Sequence, residues 1–289
     1  MNLASKRGIQ NLLKKYQVRP SKRLGQNFLI DKEVIKKLIR AANLKPKDII
    51  LEIGPGIGTL TIELAKKVKK VIAIEKDPKM VKILEELLDC WKVRNVRMIN
   101  KDILKWNPNY KLLTTNYKLV GNLPFYLTAP VIRKFLELPE ARPRAMVLVI
   151  QKEVGQRICA KPPDMNLLAV SVQFYAKPEI ISYISKKSFW PQPKVDSAIF
   201  RITPPINADR KLIDADLFFR IVKAGFSHPR KQLINNLSRL RQDFGGQAKK
   251  INKEEIKNWL LKNNIRPSQR AETLSVGDWI NLLQSCKIN

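Results

Sequence analysis

The chain of 289 residues contains one histidine, His228, and three widely spaced cysteines, Cys90, Cys159 and Cys286. A single imidazole excludes a multi-histidine metal centre. Three distant cysteines suit neither a zinc site nor a disulfide framework. No apolar run reaches the roughly 18 residues that a membrane span needs. The opening MNLASKRGIQNLLKKYQ has only a short apolar patch and no small-residue cleavage site, so no secretory signal is expected and a reducing cytoplasm is the natural setting. Acids are scarce as well: 25 Asp and Glu stand against 55 Lys and Arg, a net charge of +30 with a pI near 10.2. Solvation alone calls for mixed charge, so this excess points to a polyanion. Nucleic acid is favoured over an anionic membrane surface, because the basic segments are spread along the chain and not gathered on one amphipathic helix.

What is present is a core. Hydrophobic residues make up 44% of the chain, and its length suggests about two domains. Residues 1–30 read as a basic arm carrying Lys14, Lys15, Arg19, Lys22 and Arg23. From Asp31, a helix N-cap, short apolar strands (DIILEIG, KVIAIEKD, NVRMINKD, YKLVGN, AMVLVIQKE) alternate with helical stretches over residues 31–204. Such alternation predicts a parallel sheet covered on both faces. LLAVSVQFYAKPEIISYI and SAIFRITP are expected to add strands. A proline-rich linker is predicted over 203–211. Residues 205–289 read as helices only, opened by Asn252 with Glu255 and by Ser275 with Asp278. No internal repeat or low-complexity tract is found.

LEIGPGIGTLT is a strand, a tight turn with Gly54, Gly56 and Gly58, then a helix. The glycine spacing fits neither the dinucleotide fingerprint nor the phosphate loop. Glu52 adds an anion beside the turn, which suits a cationic ligand better than a phosphate. Glu75 ends the next strand, where a carboxylate can accept from both hydroxyls of a ribose. Asp102 ends the third and can accept from an exocyclic amine. Either acid alone is as readily a solvated loop charge; together, on the carboxyl edge of one sheet, they describe an adenosine with a positive attachment and no phosphates. S-adenosylmethionine fits that description.

The fourth strand ends in Asn122, Leu123, Pro124 and Phe125. Taken alone, this is an ordinary strand-to-helix turn. Beside a methyl donor it reads as an acceptor clamp. The Asn122 amide oxygen and a carbonyl near Leu123 or Pro124 can hold a planar NH2 and favour its pyramidalisation, while Phe125 offers a stacking face. No cysteine follows a proline, so covalent attack on a pyrimidine has no nucleophile.

With these residues in view, the chain resembles the ribosomal RNA adenine dimethyltransferase family, the KsgA type. LGQNFLID, LEIGPGIGTLT, IEKD, NKDIL, GNLPF, QKEVGQRI, FWPQPKVDSAIFR and HPRKQLINNL carry the likeness over nearly the whole length. It implies a Rossmann-like class I methyltransferase sheet with a small C-terminal all-helical, RNA-binding domain. It also implies methyl transfer from S-adenosylmethionine, without a metal, to N6 of two adjacent adenosines, twice each, in the 3′-terminal hairpin loop of small-subunit rRNA. The partner would be that rRNA or the immature 30S subunit; no membrane partner and a monomer are expected. Carried over, Asn27 and Leu29 would cover the cofactor, and Gly54, Gly56, Glu75, Asp102 and Asn122 would line it. Asn122 to Phe125 would clamp the acceptor, with Phe189 stacking the flipped base from the other side. The basic arm and Ser227–Gln232 are the phosphate candidates, and His228 is a capping or surface residue. Two departures stand out: Phe125 where many members have tyrosine, and Met165 to Ala169 where the family often has Tyr-Gly-x-Leu-Ser. The rivals are an Erm-type large-subunit rRNA methyltransferase, a DNA adenine methyltransferase, for which no long recognition domain is present, and a chiefly non-catalytic ribosome assembly factor.

Overall fold

Strands of Val, Ile and Leu with no polar face must be covered on both sides, and that demand organises the first of two compact units, Met1–Gln156 with Ala176–Pro204. The structure is a computed structural model that describes residues 2–107, 117–137, 142–205, 213–244, 247–250 and 252–286. The chain opens with α1 (Lys6–Lys15) and the two-residue strand β1 (Phe28–Leu29). It then runs α2 (Lys32–Ala42), β2 (Ile49–Ile53), α3 (Thr59–Ala65), β3 (Lys70–Glu75), α4 (Pro78–Cys90) and β4 (Val96–Asn100). After β5 (Tyr117–Asn122) come α5 (Thr128–Glu137), β6 (Met146–Gln151) and α6 (Lys152–Ile158).

Local chemistry sets the boundaries. Asp31 caps α2 by accepting from the Glu33 and Val34 N–H groups, and Asn43 closes it in the left-handed region. Asp77 caps α4, with Pro78 in its first turn. The expected basic arm contains a packed helix: Ile9, Leu12 and Leu13 of α1 are buried in one cluster with Phe28, Ile57, Met80 and Ile83. Lys14 and Lys15 stay exposed in its last turn, where the helix dipole favours cations.

The second unit comprises Arg157–Tyr175 and Pro205–Asn289. Its first element, α7 (Leu167–Gln173), corrects the strand expected there. Asn166, inside the Met165–Ala169 segment that departs from the family pattern, accepts from the Ala169 N–H, and this cap commits the apolar run to a helix. The chain returns to the first unit for β7 (Lys177–Ile184), β8 (Phe189–Trp190) and β9 (Ser197–Thr203). The second unit resumes with α8 (Ala215–Gly225), α9 (Leu233–Leu237), a short ladder of β10 (Arg241–Phe244) with β11 (Gln247–Lys250), α10 (Lys253–Lys262) and α11 (Val276–Gln284). That ladder was not expected. Both expected capping boxes are formed. The core of this unit stacks Phe174 on Phe218 at 4.1 Å and surrounds Trp279. A Cβ on Gly225 would lie 2.3 Å from the Trp279 ring, so only glycine lets α8 approach it. Most of the expected linker lies outside the described residues.

The seven-stranded sheet has the order β4-β3-β2-β5-β6-β9-β7. The strands β4, β3, β2, β5 and β6 are parallel; β9 runs antiparallel to them, and β7, antiparallel to β9, runs in their direction again. The chain winds outward from β2 to β4 and then returns to place β5 on the other side of β2. This reversal is the switch point at which open α/β sheets leave a crevice beyond their carboxyl ends.

Candidate active site

The four tips at the switch point are neighbours. Gly54 follows β2, Glu75 ends β3, Asp102 stands two residues past β4, and Asn122 ends β5. One cleft is lined by all of them, by Gly56, by Leu123, Pro124 and Phe125, and by Asn27, Leu29 and Phe189. No predicted site residue lies elsewhere.

The glycine turn needs its glycines. Gly54, Gly56 and Gly58 have φ of +68°, +56° and +88°. A Cβ on Gly56 would sit 3.0 Å from the Phe28 ring. Gly56→Ala is therefore expected to lose about 1–2 kcal/mol from the left-handed backbone alone, read as a lower midpoint in denaturant unfolding.

Glu75 is buried, and both its oxygens are held: Oε2 accepts from the Gly56 N–H at 3.1 Å and Oε1 from the Asp77 N–H at 2.9 Å. Burial raises its pKa, and these N–H groups oppose the rise. Asp102 is paired with Lys76 at 2.8 Å and accepts from the Leu104 N–H, which holds its carboxyl below the usual range.

Glu52 corrects the anion expected at the strand end. It is 1% exposed, its Oε2 has no partner among the described residues, and burial, aided by nearby Glu75, pushes its pKa up to about 8. Desolvation disfavours the charge, so at neutral pH the group is largely protonated. A carboxyl whose folded pKa lies above its unfolded value of 4.5 stabilises the fold fully below that value, and the contribution fades as pH rises through about 8. The whole interval is worth on the order of 5 kcal/mol. Glu52→Gln is expected to flatten the fall in cofactor-free stability between about pH 5 and 8, measured as the pH dependence of the unfolding midpoint.

The acceptor turn is fixed from two sides. Asn122 Nδ2 donates to the Asn27 carbonyl at 2.8 Å, leaving Oδ1 as its remaining polar atom. The Pro124 carbonyl already accepts from the Leu127 N–H at 2.9 Å, whereas the Leu123 carbonyl accepts nothing among the described residues. Of the two carbonyls considered, Leu123 is thus the free acceptor. Above the turn, Gly25 approaches Pro124 closely enough that a Cβ would meet its ring at 3.2 Å. The β1–β8 ladder sets Leu29 opposite Phe189 and places both on the cleft.

Two contributors escaped the sequence reading. Ile103 is a buried wall beside Asp102, signalled only by an apolar residue directly after a strand-end acid. Lys134 of α5 donates from Nζ to the carbonyls of Ile103 at 2.9 Å, Leu104 at 3.0 Å and Trp106. It ties the Asp102 turn to the helix that follows the acceptor turn, and its burial lowers its pKa. In the sequence it looks like any surface lysine.

Geometry of this kind is shared by many methyl-transferring sheets, so relatives decide the family. The family model described as ribosomal RNA adenine dimethylase matches residues 18–282. The chain belongs to this family. Among the relatives of this rRNA adenine dimethylase is the ribosomal RNA small subunit methyltransferase A of Dehalococcoides mccartyi, 42% identical over 272 residues that cover 93% of this chain and 89% of the relative. A crystal structure of a dimethyladenosine transferase from Plasmodium falciparum matches with a TM-score of 0.75 at 25% identity, covering 89% of this chain and 96% of that one. The crystal structure of the 23S rRNA methyltransferase ErmE matches with a TM-score of 0.70 at 24% identity, over 89% of this chain and 98% of that one, a likeness of fold. Among the described residues of the dimethylase, no helix is long and apolar enough to cross a membrane, and no cluster of His, Cys, Asp and Glu could hold a metal ion.

Proposed function

We propose that this chain dimethylates N6 of two adjacent adenosines in the 3′-terminal hairpin loop of small-subunit rRNA, using S-adenosylmethionine. It acts in the cytoplasm, as a monomer, on the immature 30S subunit. The residues present fit the donor: the buried Glu52 carboxyl has an unpartnered Oε2 at the cleft and would be drawn toward its charged form by a cationic ligand there, the glycine turn leaves room at the backbone, and Glu75 keeps lone pairs for ribose hydroxyls. Bound there, S-adenosylmethionine supplies an electrophilic methyl on a sulfonium.

The chain's own part is positioning. The observation that carries the reading is the pair of acceptors at the end of β5, Asn122 Oδ1 and the Leu123 carbonyl, in the same cleft as Glu75. An adenine amine is a poor nucleophile because its lone pair is delocalised into the ring. Two acceptors hold its N–H bonds and turn that lone pair toward the methyl carbon. As the N–C bond forms, the C–S bond breaks, the electron pair stays on sulfur, and a proton leaves N6 for water. Phe125 and Phe189 offer the faces that hold an unstacked base. A ring suffices for this, so Phe125 in place of tyrosine is tolerated. The exposed Lys14, Lys15, Lys22 and Arg23 suit phosphates, as does the Ser227–Gln232 segment. Buried Asn236 shapes that segment by donating to the Gly225 and His228 carbonyls.

The large-subunit alternative shares the fold, so sequence separates them, and 42% identity to a small-subunit enzyme supports the present reading. Incubating the protein with labelled S-adenosylmethionine and unmethylated small subunits should place label on the two loop adenosines. Label on large-subunit RNA instead would replace this reading with the Erm-type one.

A further inference from the structure

A second groove opens off the cleft, sharing Gly25, Asn27, Phe125 and Pro193 with it. Its rim carries four exposed cations, Lys14, Arg19, Lys22 and Lys194. None of the four is in a salt bridge among the described residues, and no Asp or Glu lines the groove. The floor has a different chemistry. Half-buried Trp190 lies there, set opposite Phe28 by the β1–β8 ladder, and half-buried Gln151 and exposed Gln192 line the same groove.

We infer that this groove holds the nucleotide next to the target adenosine, its base stacked on Trp190 and its flanking phosphates met by Lys22, Arg19, Lys14 and Lys194. The inference rests on the proposed methylation of an adenosine in RNA. A base drawn into the cleft remains tied to its neighbour by one phosphodiester, so the neighbour must leave by an opening that borders Phe125. An indole face next to unpaired cations is the combination that single strands use, with stacking for the base and charge for the backbone. Amides can meet the edges of any base. An acidic peptide would use the cations and leave the indole idle.

The test uses the full chain and an RNA hairpin with 2-aminopurine beside the target adenosine. The unaltered protein should quench the 2-aminopurine on binding. Trp190→Leu should abolish the quench and weaken RNA binding about tenfold, the size of one stacking contact, with the KM for S-adenosylmethionine unchanged. Trp190 also packs against its neighbours, so an independent variant, Lys22→Gln with Lys194→Gln, changes only exposed side chains. It should lower the slope of log affinity against log salt by about 1.4, two phosphates at ~0.7 each. Unchanged emission and unchanged slope, with methylation intact, overturn the groove and leave the function standing. Failure of the unaltered protein to methylate any adenosine overturns the functional reading and this inference with it. Displacement of the RNA by polyglutamate, without any quench by bound RNA, would assign the groove to an acidic protein instead.

Discussion

Asn122→Ala should lower single-turnover methyl transfer about 10²- to 10³-fold, the usual cost of removing one preorganised hydrogen-bonding group at the reacting centre. The affinity for S-adenosylmethionine should change far less, because Glu75 and the glycine turn are untouched. Two things go with the side chain: the acceptor oxygen, and the Nδ2 donor that ties the turn to the Asn27 carbonyl. Asn122→Asp separates them. It keeps an acceptor but sets a carboxylate against that carbonyl, so it should displace the 25–27 segment and weaken transfer without restoring it. Labelled-methyl transfer under single-turnover conditions, with calorimetry for the donor, distinguishes the outcomes. Transfer within about tenfold of the parent in Asn122→Ala would remove the two-acceptor account and leave positioning by the aromatic faces as the main effect.

The strand tips were readable because each strand is a short apolar run that stops at a residue of different chemistry: Gly54, Glu75, Asn122. Period and punctuation are local, and the parallel sheet then makes them neighbours. Three features were not local. The Asn27–Asn122 tie joins residues 95 apart. Lys134 bonds the carbonyls of residues 31 and 30 positions earlier in the chain, and nothing in its own helix marks it. The protonation of Glu52 depends on how completely neighbouring elements exclude water from it, which no sequence window reports. The misread α7 failed for another reason: Leu, Val and Phe close together resemble a buried strand, and the single Asn166 cap outweighed that resemblance.

Glu75→Ala should separate cofactor binding from RNA binding. On the proposed donor site the substitution would remove two charge-assisted bonds to ribose hydroxyls, each worth about 1.5–3 kcal/mol, so S-adenosylmethionine affinity should fall at least ~10²-fold. The Gly56 and Asp77 N–H groups also lose their acceptor, which loosens the turn that faces the donor. Stability should respond in the opposite sense as pH rises. Burial raises the folded pKa of Glu75, so its contribution to stability fades as pH climbs through that raised value. The alanine variant lacks this loss and should compare best with the parent at high pH. RNA binding should persist, because the exposed cations of α1 and of the 227–232 segment share no bond with Glu75. The comparison then reaches the assembly-factor alternative. A strain carrying only Glu75→Ala would lack dimethyladenosine yet keep an RNA-binding protein. Growth and subunit maturation like the parent would make binding the chief biological role, and defects like those of a deletion would make it catalysis. Full methylation by the variant would take Glu75 out of the donor site altogether.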